Sequence, residues 1–178
     1  KLTEESFPRL VSVRGHRGLS DEVGWCGPFN GRDEAARAIE AIYEVTQIRQ
    51  CTPRITLNSM KSASPCALFD MKRCGAPCVG KESVDSYASH VLTTQVSLHH
   101  DATSLLAAIN LRMRDLAEQE RFEEAADIRN RLSAFVRGTA RGQRIRSLTR
   151  VPHMVTAFMV APQQWEFLVI RYGRLAGT

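Results

Sequence analysis

Four of the five cysteines, Cys51, Cys66, Cys74 and Cys78, fall in one short stretch, separated by fourteen, seven and three residues. In a reducing compartment, clustered thiols in a loop more often hold a metal than pair as disulfides, because thiolates suit soft ions. A secreted disulfide framework is the rival explanation, but Cys26 would leave it an odd thiol and nothing marks the chain for secretion. Four sulfur ligands suit either structural zinc or a [4Fe–4S] cluster. The spacing departs from the two C-x-x-C pairs usual for zinc, which favours iron–sulfur and leaves zinc as the alternative.

Other reactive constellations are scarce. The sequence has no Gly-rich phosphate loop, no His-Glu-x-x-His and no serine elbow. His16, His90, His99, His100 and His153 have no acid or cysteine at ligand spacing, and His99-His100 reads as an exposed junction. Glu118, Glu120, Glu123, Glu124 and Asp127 are interleaved with Arg112, Arg114, Arg121, Arg129 and Arg131 at helical spacing. That pattern describes a solvated, salt-bridged face and not a carboxylate active site. The segment therefore reads as non-catalytic.

The formal charge of +5 favours an anionic partner only weakly. Its distribution is more informative: Arg137, Arg141, Arg144, Arg146 and Arg150 lie in a stretch without Asp or Glu. A DNA phosphate-binding track and a flexible basic linker both fit that stretch. With 43% hydrophobic residues the chain can bury a modest core, and no apolar run is long enough to cross a bilayer. A soluble, cytoplasmic segment with no membrane partner is expected, cut from a longer chain.

The elements that must position these groups follow from periodicity. Residues 7–13 alternate loosely and predict a short strand. A connection from Gly15 to Gly24 leads to a tight turn at Trp25-Cys26-Gly27-Pro28-Phe29, with Cys26 as a buried thiol. Asn30 is the expected cap of a helix whose first turn holds Asp33 and whose apolar stripe is Ala35, Ile39, Ile42 and Tyr43. Residues 51–80, with three prolines, are too broken to make a core and need an external staple. Between Lys81 and Arg137 there is neither Gly nor Pro, which predicts helices with a junction near Leu98 to Asp101. Asp101, Thr103 or Ser104 is the expected cap of the next one. Two apolar stripes, Leu105-Ile109-Met113-Leu116 and Phe122-Ala125-Ile128-Leu132-Phe135, flank a polar break and predict an antiparallel hairpin. Met154–Val160 and Trp165–Tyr172 read as two paired strands. The fold class is α+β, mainly helical.

Several of these residues carry a resemblance. Trp25-Cys26-Gly27-Pro28-Phe29 resembles the Tyr-x-Gly-Pro-[Tyr/Phe] turn that follows the GIY-YIG nuclease domain of UvrC proteins. Arg49-Gln50-Cys51 is similar to the family's Arg-x-Cys. Cys66 to Gly80 resembles its Cys-x-x-x-x-x-[Gly/Lys]-x-Cys-x-[Ala/Gly]-Pro-Cys-x-Gly run. The resemblance implies that Cys51, Cys66, Cys74 and Cys78 ligate a [4Fe–4S] cluster, although the gap between Cys51 and Cys66 is longer than is usual in the family.

Leu116 to Leu132 looks like the UVR motif, Phe-Glu-x-Ala-Ala-x-[Leu/Ile]-Arg-[Asp/Asn]. It implies pairing with a UvrB-like protein or another UVR hairpin through Phe122, Glu123, Ala125, Ala126, Ile128, Arg129 and Leu132. In UvrC an RNase H-like domain follows, whereas residues 149–178 contain Glu166 as their sole acid. That tail looks more like the actinobacterial proteins in which DEDDh exonuclease and GIY-YIG domains precede a UvrC-like region. The implied organisation is a post-GIY-YIG strand and helix (1–50), a four-cysteine segment and helix (51–100), a UVR hairpin (101–137), and a basic linker with a C-terminal β unit (138–178).

Overall fold

The computed structural model describes residues 1–14, 24–60, 64–99 and 101–178. The connection expected after Gly15 lies outside the described residues, as do His16 and His100. Residues 1–11 fold back on themselves, with Leu2 and Leu10 forming one antiparallel bridge and Val11 N–H donating to the Lys1 carbonyl at 2.8 Å. The strand predicted over 7–13 is thus reduced to a single bridge. Pro8 offers no N–H to a ladder, and Phe7 turns inwards and is buried.

Helix α1 spans Arg32–Tyr43 and buries Ala35, Ala38, Ala41 and Ile42, with Ile39 and Tyr43 at the margin of the core. Asn30 does not cap it through its side chain. Instead Glu34, in the first turn, reaches back past the N-cap Gly31 and accepts the Asn30 backbone N–H at 2.7 Å. Through the cysteine segment the regular structure is brief: α2 (Leu57–Met60), α3 (Ala67–Asp70) and a 3-10 turn at Pro77–Val79.

The Gly- and Pro-free stretch forms α4 (Val84–His99), α5 (Thr103–Glu118) and most of α6 (Phe122–Thr149). Asp101 accepts the Thr103 N–H at 2.8 Å and so tethers the start of α5. At the hairpin turn Glu120 adopts φ +60° and Arg121 N–H donates to the Leu116 carbonyl at 2.9 Å. Tyr87 and Leu98 of α4, Leu105, Ile109 and Leu116 of α5, and Ile128, Ala134 and Phe135 of α6 share one core with α1.

Residues 138–149, expected as a basic linker, instead continue α6 without a break. Two glycines within it are approach points. A Cβ at Gly138 would run into the Phe29 ring, and one at Gly142 into the Gly27 carbonyl. The turn at residues 26–29 therefore sits directly on the helix, which needs both side chains absent.

Beyond α6, β1 (Met154–Ala161), β2 (Gln164–Arg171) and β3 (Arg174–Gly177) make a three-stranded antiparallel meander in the order β1-β2-β3. Two strands were expected. The third forms because Tyr172 and Gly173 both adopt positive φ, +48° and +71°, and close a two-residue turn that pairs Arg171 with Arg174. Tyr172 N–H donates to the Val151 carbonyl at 3.1 Å and ties the sheet to the end of α6. Among the described residues no helix is long and apolar enough to cross a membrane.

Candidate functional site

The cysteine loop is held in place by its neighbours before any ligand is considered. Arg73 donates to the Tyr43 carbonyl at 3.3 Å and pairs with Glu44, while Gln47 donates to the Lys72 carbonyl, so the end of α1 anchors the loop. Lys72 and Ala76 both adopt φ +56°, a left-handed conformation that costs a non-glycine residue about 1–2 kcal/mol and persists only where surroundings enforce it. Lys81 lies 4.0 Å over the Phe69 ring and clips α3 to the segment after the 3-10 turn.

These turns bring Cys51, Cys66, Cys74 and Cys78 to the walls of one cavity of about 230 Å³. None of the four is in a disulfide; Cys74 is buried, Cys51 and Cys78 are half-buried and Cys66 is exposed. The sulfurs stand around the cavity and are not closed on a single point: among the described residues no group of three or more His, Cys, Asp or Glu is drawn together as a metal-holding shell. The donor set still fits a soft metal group, since among the described residues four thiols and no carboxylate or imidazole line the space. Burial pushes the Cys74 thiol up, partly offset by the Ala76 backbone N–H, and burial likewise raises Cys78.

Beneath the cavity lies Arg49, wholly buried. Its Nε donates to the Phe7 carbonyl at 2.7 Å, and its Nη1 donates to the carbonyls of Cys51 and Pro53, both at 2.8 Å. The same Nη1 lies 3.3 Å from the Cys51 sulfur. Nη2 lies 2.9 Å from Glu5 Oε1, close in charge but out of line for a hydrogen bond. The Arg49 backbone N–H donates to the Tyr87 hydroxyl, which in turn donates to the Pro8 carbonyl at 2.6 Å. One residue thus joins the N-terminal fold-back and the first cysteine through its side chain and α4 through its backbone N–H.

In the α5–α6 hairpin, Phe122, at 65% exposure, and Glu123 stand open at the start of α6. Arg129 is also exposed, Ala125, Ala126 and Leu132 are half-buried, and Ile128 is 4% exposed inside the shared core. The hairpin seam expected to seek a partner is therefore partly covered by α1 of the same chain. What remains open clusters at the hairpin turn.

Residues 1–96 match the family described as the UvrC/Cho excinuclease middle domain, and residues 103–137 match the UvrB/uvrC motif. The chain belongs to the UvrC/Cho family. Among its relatives are a Mycobacterium tuberculosis (strain CDC 1551 / Oshkosh) protein named, provisionally, a bifunctional exonuclease/endonuclease, 32% identical over 99% of this chain, and the UvrABC system protein C of Rickettsia prowazekii (strain Madrid E), 34% identical over 74%. The UvrABC system protein C of Rickettsia bellii (strain RML369-C) is 36% identical over 74% of the chain. The chain spans 27% of the mycobacterial protein's length and 20% of each rickettsial one. No solved structure matches it.

Within this UvrC/Cho framework the basic stretch is divided between different tasks. Arg137 and Arg141 point at α1, 3.0 and 3.3 Å from the two Glu34 oxygens, and Arg141 also donates to the Pro28 carbonyl. The Asn30 N–H above all, with these two arginines, holds the Glu34 carboxyl down at about 2. Arg146 Nη1 lies 3.1 Å from His99 Nδ1, so His99 is half-buried against α6 and is not an exposed junction. Arg144 and Arg150 are exposed. Sequence reasoning assigned no role to Glu34 or to Arg49, although the Arg-x-Cys spacing was a visible signal for the latter. Nothing local signalled the two arginine partners of Glu34, which lie more than a hundred residues away.

Proposed function

We propose that this chain is the iron–sulfur and partner-binding region of a UvrC-like nuclease of bacterial DNA repair, and that it is not itself catalytic. The observation that carries this reading is the placement of four unpaired cysteines around one cavity whose floor is a buried arginine. Cys51, Cys66, Cys74 and Cys78 would hold a [4Fe–4S] cluster. When bound, the cluster supplies covalent cross-links to a segment without its own core, together with a one-electron redox group. The protein's own residues do the rest: Arg73 and Gln47 fix the loop on α1, and Arg49 fixes Cys51 on the N-terminal fold-back.

The open end of the hairpin, led by Phe122 and Glu123, would dock a UVR hairpin of a UvrB-like protein. Arg144 and Arg150 would meet the DNA backbone without reading sequence. Iron, acid-labile sulfide and zinc measured after anaerobic purification test the metal assignment. About four irons and four sulfides per chain is the expected result, and stoichiometric zinc without iron would refute it. A magnesium-dependent incision assay tests the non-catalytic role, since robust cleavage by the isolated chain contradicts it.

A second reading places the chain in a fusion enzyme with exonuclease and GIY-YIG domains, outside UvrABC-type repair. One observation favours it: the mycobacterial relative matches essentially the whole chain, tail included, whereas the rickettsial proteins match only 74%. Exonuclease activity in the intact polypeptide, lost on mutation outside this segment, distinguishes the two.

A further inference from the structure

We propose that Arg49 is a positioning residue that tunes the cysteine site electrostatically through Cys51, with Glu5 as the counterweight that limits its effect. The inference rests on reading the four cysteines as cluster ligands. Arg49 Nη1 has two protons and faces three acceptors, the carbonyls of Cys51 and Pro53 and the Cys51 sulfur. At least one N–H is therefore shared between two acceptors, and the Cys51 sulfur is among the three. A residue needed only to staple backbone would be satisfied by the carbonyls alone.

The charge balance points the same way. A wholly buried guanidinium requires a compensating anion. Glu5 Oε1 is 2.9 Å from Arg49 Nη2 but also lies 4.0 Å from Arg9, so one carboxylate serves two arginines. The two arginines thus outnumber their shared carboxylate, and Arg49 is the one in contact with Cys51. Thiolate-bound iron–sulfur clusters carry net negative charge, which increases on reduction. A fixed cation and an N–H···S contact at one ligand both favour the reduced form and raise the reduction potential. Glu5, on the far side of the guanidinium, pulls the potential the other way.

The two residues thus carry opposite signs, which a merely structural role would not produce. The test is an electron paramagnetic resonance-monitored redox titration of the full chain with its cluster reconstituted anaerobically, alongside iron content and circular dichroism. Arg49→Gln should lower the midpoint potential at unchanged iron content, Arg49→Lys should restore part of the shift, and Glu5→Gln should raise it. If Arg49→Gln does not fold, Glu5→Gln decides: a potential equal to or below wild type overturns the inference. Iron-loaded variants with coincident potentials overturn this inference alone. A wild-type chain that takes up zinc and no iron overturns the cluster reading and, with it, the role of Arg49.

Discussion

The carbonyl of Gly27 rests on Gly142 of α6, in a space that a single methyl group would occupy. Together with Phe29 over Gly138, this contact fastens the N-terminal turn to the far half of the longest helix. Gly→Ala in a helix interior normally stabilises by about 1 kcal/mol. Here overpacking against backbone, which cannot rotate away, costs about 1–3 kcal/mol and should prevail. Gly142→Ala is therefore expected to lower the thermal midpoint, and an unchanged or raised midpoint would show that the turn is not seated on the helix.

The Glu34 carboxylate links the same two parts through charge. Its folded-state pKa is depressed, from an ordinary value near 4.5 to about 2. A depressed acid stabilises the fold above its unfolded-state pKa and loses that contribution as pH falls through the folded-state one. The α1–α6 pairing with Arg137 and Arg141 should thus be intact above about pH 4.5 and weaken progressively towards pH 2. Urea unfolding at stepped pH should show this slope in the wild type and a flatter one in Glu34→Gln. Equal slopes would remove Glu34 from the linkage.

Phe122 and Ile128 lie on one motif but should respond differently to truncation. Phe122 is exposed, so Phe122→Ala should leave stability within about 0.5 kcal/mol. As an interface anchor it should weaken binding of a UvrB-type hairpin by about 2 kcal/mol. Ile128 is buried in the core, so Ile128→Ala should cost about 2–5 kcal/mol of stability. Calorimetry with the partner hairpin and denaturant melts check both; undiminished binding by Phe122→Ala would detach it from the interface.

The arginines should likewise separate. Arg144→Ala is expected to reduce the slope of log affinity for duplex DNA against log salt by about 1, as one lost phosphate contact does. Arg141→Ala should act chiefly on stability, because its guanidinium is engaged with Glu34 and Pro28. A salt slope insensitive to Arg144 would remove it from the DNA contact surface.

Local pattern carried much of this protein. The absence of Gly and Pro from Lys81 to Arg137 predicts the helices that form there, because breakers act on the residues beside them. The two apolar stripes around Glu118–Arg121 give the hairpin for the same reason, and the family resemblance rests on runs of contiguous residues. Other features exist only once the chain is folded. Gly138 and Gly142 become approach points only when Phe29 and Gly27 arrive above them. The pairing of Arg137 and Arg141 with Glu34, 103 and 107 residues away in sequence, is likewise invisible before folding. Arg49 looks like a surface charge beside a cysteine until Phe7, Pro53 and Tyr87 enclose it. Sequence spacing specifies what neighbours along the chain will do. Which distant group satisfies a charge or fills a notch is decided by the packing of α1 against α6 and of the N-terminal fold-back against α4.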